Sequence, residues 1–157
     1  MNLIYKILPS EIREAFCFDT FTPLKQFTLS RNERLKSRKQ IDLLFRQGTH
    51  LNIFPLRVSY IASSEAREEP LQFGVGVSGR WFKKAVDRNR VKRLVRESWR
   101  VQKNGLKQIL LEKQMSMIVF IVYTGRELPE HDQIRESTAR VIENLCSIAN
   151  EDTQANI

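Results

Sequence analysis

Residues 71–100 read LQFGVGVSGRWFKKAVDRNRVKRLVRESWR, and two hydrophobic periods meet inside them. Leu71, Phe73, Val75 and Val77 alternate with Gln72, Gly74, Gly76 and Ser78, the period of two that marks a strand, here with one bulky face and one bare face. Beyond Ala85 the period becomes helical. Val91, Leu94, Val95 and Ser98 gather on one side with Trp99 at its edge, while Arg88, Lys92, Arg96 and Arg100 form an i, i+4 ridge on the other, beside Asn89 and Arg93. The stretch therefore reads as strand, turn and amphipathic helix, with one helix face packed on a sheet and the other a cationic stripe.

That stripe carries an energetic argument. Like charges at i, i+4 repel by a few tenths of a kcal/mol per pair, and solvated helix faces usually intersperse Glu with Lys to avoid it. Between Lys83 and Arg100 only Asp87 and Glu97 answer Lys83, Lys84, Arg88, Arg90, Lys92, Arg93, Arg96 and Arg100. A polyphosphate partner would offset the repulsion, and arginine suits it because its planar fork binds phosphate through two hydrogen bonds. The whole chain agrees: 26 Lys+Arg against 18 Asp+Glu give a formal charge of +8 and a pI near 9.8, which favours polyanionic partners.

Working outward, Ser37 and Gln40 have the form of a capping box, and Ile41, Leu44 and Phe45 repeat at helical spacing up to Gly48, which predicts a helix over 38–47. Leu56, Val58 and Tyr60 alternate with Arg57, Ser59 and Ile61, predicting a strand over 54–62, with SSEAREEP, 63–70, as the following turn. A short helix is expected over 106–113, a β-branched, apolar interior strand over 115–123, and a last helix from about Pro129 to Asn150 with Ile134, Thr138, Val141, Ile142 and Leu145 on one stripe. The order implies an α/β (α+β) sandwich: a sheet of about four strands packed with three main helices, mainly on one face. With 157 residues, 41% of them hydrophobic, a single domain over 29–150 is expected, with a C-terminal tail over 151–157. Residues 1–28 show no clear periodicity and read as an extension, free of the domain or docked through Phe16, Phe18 or Phe21.

Other readings fall away on spacing. Cys17 and Cys146 are far apart and form no CxxC pair, so neither a disulfide framework nor a zinc site is expected, and a reducing cytoplasm is the simpler setting. The apolar run Met117–Tyr123 is far shorter than the roughly 20 residues of a membrane helix, and the N-terminal stretch is broken by Lys6, Pro9, Glu11, Arg13 and Glu14, so neither membrane insertion nor export is expected. Gly74, Gly76 and Gly79 satisfy GxGxxG literally. Val75 and Val77 nevertheless continue the strand alternation, and the acidic residue about 20 positions on would be Glu97, inside the basic helix, which argues against a dinucleotide turn. The bare strand face instead permits close approach of another backbone or a ligand. His50 and His131 fall in different predicted loops without a metal or nucleophile motif, so no catalytic residue and no metal ligand is assigned to this chain.

The run AVDRNRVKRLVRES, 85–98, closely resembles the arginine-rich signature of the bacterial ribonuclease P protein component, including Arg-Asn-Arg at 88–90. FTLSRNERLKSRKQIDLLFRQG at 27–48 looks like that family's first helix and its approach, and FPLRVSY at 54–60 like its following strand, so the resemblance covers about residues 27–148. It implies a protein cofactor of an RNA enzyme that removes the 5′ leader from precursor tRNA, an endoribonuclease whose active site and Mg²⁺ ions belong to the RNA subunit. It further implies a left-handed crossover from the strand through the basic helix to the last strand, against the usual right-handed preference, and a monomer in a 1:1 ribonucleoprotein. Carried over by position, Arg88, Asn89, Arg90, Lys92, Arg93 and Arg96, together with Arg80 and Lys84 before them, would contact the catalytic RNA. Ile41 and Phe45 would line a cleft for the leader, completed by a sheet residue, Tyr60 or the adjacent Ser59. Two departures stand out: Gly79 and Arg80 replace two adjacent basic residues, and Ile41 replaces an aromatic. The rival reading is a general RNA-binding ribosomal or assembly protein that uses the same basic helix.

Overall fold

The computed structural model describes residues 28–151. The extension and tail expected from the sequence, with Cys17 and the three N-terminal phenylalanines, therefore lie outside the described residues apart from Thr28 and Glu151. The chain runs α1 (Arg38–Gln47), β1 (Thr49–Ile53), β2 (Leu56–Ser63), β3 (Leu71–Val77), α2 (Ala85–Gln102), α3 (Asn104–Glu112), β4 (Ser116–Tyr123) and α4 (His131–Glu151). Helix α1 starts where expected, because the Ser37 hydroxyl accepts the Gln40 N–H at 3.5 Å. Gly48 ends it without a left-handed turn; its φ is −74°.

One strand was not anticipated. β1 pairs antiparallel with β2 from Thr49↔Tyr60 to Ile53↔Leu56, and Phe54 and Pro55, joined by a cis peptide bond, form the turn. The strand predicted over 54–62 is thus the second arm of a hairpin, and His50, expected in a loop, lies in the first. THLNI carries no strong alternation because β1 is an edge strand, paired on one side and largely open to solvent.

The sheet order is β1-β2-β4-β3. β4 runs antiparallel to β2, from Leu56↔Tyr123 to Ser63↔Ser116, and parallel to β3, from Leu71↔Met117 to Val77↔Tyr123. α2 and α3 make the crossover between the parallel strands, the connection for which the resemblance implies a left-handed course. Leu56, Val58, Tyr60, Phe73, Val119 and Ile121 form one sheet face and pack with Val91, Val95 and Trp99 of α2, Leu106 and Leu110 of α3, and Ile134, Val141 and Leu145 of α4. The opposite face holds a small cluster in which Ile61, Ile118 and Phe120 meet Leu35 and the α1 residues Ile41 and Leu44. Three helices thus cover one face and one covers the other.

The segment before α1 closes the outer edge of β3. Phe73 N–H donates to the Glu33 carbonyl at 2.7 Å, and Leu35 N–H donates to the Phe73 carbonyl at 2.9 Å, which removes unpaired backbone groups from that edge. Glu33 is anchored twice. Its backbone and carboxylate exchange hydrogen bonds with Ser30, at 3.2 and 2.7 Å, and the same carboxylate pairs with buried Lys103 and, at 2.9 Å, with Lys107, which also reaches Glu69 at 2.7 Å. Burial alone would push the Glu33 carboxyl up, but hydrogen bonds from Lys103, Lys107 and the Ser30 backbone outweigh it and hold the group below the usual carboxylate range.

A carboxyl held low in the folded state stabilises the fold above its unfolded pKa, and that stabilisation disappears as pH falls through the folded value. Urea unfolding at a series of acidic pH values should therefore show a loss of stability toward low pH that is smaller in Glu33→Gln. At neutral pH Glu33→Gln should be less stable by about 3–5 kcal/mol, because it leaves Lys103 buried without its counter-charge.

Candidate nucleic-acid interface

Helix α2 is held by its apolar side. Val91, Val95, Ser98 and Trp99 are buried, and the Trp99 indole stacks on Phe73 of β3 with ring centroids 4.5 Å apart and planes 11° from parallel. This locks the rotation of the helix, and Asn89, Arg90, Arg93 and Arg96 consequently face solvent with Lys92 half-buried beside them. Arg90, Lys92, Arg93 and Arg96 have no carboxylate partner among the described residues. The start of the helix adds to the field, since Lys83 and Lys84 are exposed and Lys84 caps α2 through its backbone alone.

Two arginines of the expected stripe are engaged within the protein. Arg88 turns back, its Nη1 donating to the carbonyls of Phe82 at 2.8 Å and Lys83 at 2.7 Å, and so braces the loop between β3 and α2. Arg100 pairs with Glu97 at 2.9 Å.

The bare face of β3 is filled by an aromatic ring. A Cβ on Gly74 would lie 2.5 and 2.8 Å from Phe120 ring carbons, and one on Gly76 3.0 Å from the same ring, so the glycines form a floor for Phe120 of β4. Phe45 of α1, 44% exposed, meets that ring edge-on with centroids 5.3 Å apart. Ile41 packs on the same cluster. Beside it runs a groove of about 430 Å³ whose floor includes Leu35, Ile41 and Phe120 and whose rim carries Arg34, Lys36 and Arg96. Since Arg96 belongs to α2, the groove opens onto the cationic stripe.

Tyr60 is not in this groove. It is 9% exposed and belongs to the core under α2, α3 and α4, because β2 turns alternate residues to opposite faces. The β2 residue on the groove side is its neighbour Ser59, which pairs with Phe120 across the sheet and bonds His50 Nδ1 at 2.9 Å. Phe120 itself was missed in the sequence reading, although its place between core-facing Val119 and Ile121, opposite the glycines of β3, was the available signal. His131 lies at the start of α4, far in sequence from His50, and among the described residues no cluster of His, Cys, Asp and Glu could hold a metal ion.

Comparison with known proteins places this geometry. The family model described as Ribonuclease P matches residues 29–146, almost the whole described region. The chain belongs to the ribonuclease P protein family. The ribonuclease P protein component of Porphyromonas gingivalis is 37% identical over 127 residues, covering 78% of this chain and 93% of that protein. That of Chlorobaculum tepidum is 30% identical over 128 residues, covering 76% and 83%. The solved RNase P protein of Staphylococcus aureus shares the fold at a TM-score of 0.55 and 18% identity, over 71% of this chain and 93% of that one. The dinucleotide-binding turn has no support in this ribonuclease P family fold, since Gly74 and Gly76 lie within β3.

If α2 neutralises phosphates, log affinity for the RNA should fall with log salt, and Arg93→Ala should flatten that slope by about 0.7 to 0.9, one phosphate's worth. Arg88→Ala should instead lower the melting temperature, since its partners are loop carbonyls. Gly74→Ala should cost about 1–3 kcal/mol in urea unfolding, because the added methyl must displace the Phe120 ring.

Proposed function

We propose that this chain is the protein subunit of ribonuclease P, the endoribonuclease that matures the 5′ ends of tRNAs, and that it binds the catalytic RNA through α2 and the 5′ leader of precursor tRNA through the groove between α1 and β4. The observation that carries the reading is the outward ridge of Arg90, Lys92, Arg93 and Arg96, which no carboxylate of the described residues neutralises, on the helix that bears the family's signature. Phosphates of a folded RNA supply the missing counter-charge.

The groove suits a single strand. Phe45 and Phe120 offer aromatic surface on which unstacked bases can lie, and Arg34, Lys36 and Arg96 line the rim where a sugar–phosphate backbone would run. Ile41 supplies apolar contact. Chemistry belongs to the RNA partner with its Mg²⁺ ions; the protein's work is electrostatic and positional. No described helix is long and apolar enough to cross a membrane. The resemblance to the family carries the further reading of one protein per RNA, in the cytoplasm.

Adding the protein to a ribonuclease P RNA at low Mg²⁺ and assaying precursor tRNA cleavage tests the assignment; stimulation is expected, and its absence across Mg²⁺ concentrations refutes it. The groove has its own test. Phe45→Leu should weaken binding of precursor tRNA with a leader of several nucleotides, by a factor set by the roughly 1–3 kcal/mol of one stacked base. Binding of mature tRNA and the melting temperature should hardly change. A fall in melting temperature with equal loss for both tRNAs would make Phe45 a packing residue.

A further inference from the structure

β3 and β4 are parallel neighbours, so the loops that follow them, 78–84 and 124–130, emerge at the same end of the sheet, the end at which α2 begins. In open α/β sheets the crevice beyond the carboxyl ends of parallel strands is a frequent ligand site. Here that end carries an aromatic and two cations. Trp81 is 42% exposed, and its ring lies under the guanidinium carbons of Arg126, 4.5 Å from the centroid, and Arg80, 5.3 Å away. Neither arginine has a carboxylate partner among the described residues, and the Trp81 indole N–H has no partner there either.

Two guanidinium groups brought from different loops onto one ring repel each other, even as each is attracted to the indole. An anion held between them removes the repulsion. A flat, π-faced group would extend the alternating stack of ring and guanidinium. A nucleotide is both. Arg126 also lines a cavity that contains Glu127 and Glu130 beside the exposed Phe54, whereas Arg80 and Trp81 stand in the loop that carries the exposed Lys83 and Lys84 into α2, so the cationic surroundings are those of the Trp81 loop.

We propose that Trp81, Arg126 and Arg80 form a clamp for an unpaired nucleotide of the RNA partner, the base stacking on the Trp81–Arg126 layer and the phosphate held by the two arginines. The clamp rests on the RNA-binding reading of α2 and lengthens that surface around the end of the sheet. It is separate from the groove of α1 and β4, none of whose lining residues it shares.

Equilibrium binding of the full chain to a single-stranded oligouridylate and to a blunt RNA duplex, followed by tryptophan fluorescence and by anisotropy of labelled RNA, tests it. Oligouridylate should quench tryptophan emission in the parent protein and not in Trp81→Leu, since Trp99 is fully buried. Trp81→Leu should bind oligouridylate roughly 5- to 150-fold more weakly, the equivalent of about 1–3 kcal/mol of base stacking, with duplex affinity unchanged. Arg126→Gln, which keeps the ring, should also weaken the single strand more than the duplex. Arg93→Gln should weaken both. Unquenched emission in the parent protein, or unchanged oligouridylate affinity in Trp81→Leu, overturns the clamp while leaving the α2 reading intact, and so does an equal loss for strand and duplex. If the parent protein binds neither RNA, the reading of α2 fails and the clamp falls with it.

Discussion

Both long partners in the sheet pair with β4, β2 on one side and β3 on the other, although β4 is the last strand in the chain. Its residues serve two cores. Met117, Val119, Ile121 and Tyr123 join the layer beneath α2, α3 and α4, while Ile118 and Phe120 join the smaller cluster beneath α1. Because a strand alternates its side chains, the layer that seats α2 and the aromatic cluster beneath α1 are coupled through one piece of backbone. A register slip by one residue would exchange Phe120 with Val119 or Ile121 and abolish the aromatic groove together with the seat of α2.

The seat of α2 explains why a helix with repelling charges persists. Its stability comes from burial of Val91, Val95 and Trp99 and not from its own surface pairs. Fully burying an aliphatic side chain contributes about 1.5–3 kcal/mol, against a few tenths for each like-charged i, i+4 pair, so packing decides the outcome. The Phe73–Trp99 stack then fixes which side is outward. Phe73 is also the residue whose backbone holds the segment at Glu33 and Leu35, so the closed edge of β3 and the orientation of α2 share one position.

The sequence was most informative where one period dominates. α1 with its Ser37 cap, the face of α2, β4 and the stripe of α4 were legible because a buried side imposes its repeat on the residues. β1 was not, since five residues on an exposed edge need no apolar alternation, and the two-residue turn at Phe54 and Pro55 merged with β2. The site followed the same division. The outward placement of Asn89, Arg90, Arg93 and Arg96 could be read from helix geometry, whereas the inward course of Arg88 depends on a loop conformation that no periodicity encodes. The alternation of β2 sets Tyr60 with Leu56 and Val58 and Ser59 on the opposite face, but which of these two faces meets α1, and so whether Tyr60 or Ser59 turns toward the groove, is decided by tertiary packing. The bare face of β3 was recognised, and its occupant, Phe120, comes from a strand more than forty residues away in sequence.

The two long helices also differ in charge. α2 carries Arg88, Arg90, Lys92, Arg93, Arg96 and Arg100 against Asp87 and Glu97, a net of +4, while α4 carries Asp132, Glu136, Glu143 and Glu151 against Arg135 and Arg140, a net of −2. α2 packs along β3, whereas α4 reaches toward β2 and β1, so within the helix layer on this face the positive charge is concentrated on the β3 side. In the field of a polyanion such a molecule feels a torque as well as an attraction. It rotates during approach so that α2 leads and α4 trails, which shortens the orientational search that otherwise limits association, and this advantage fades once salt shortens the Debye length to about 10 Å or less.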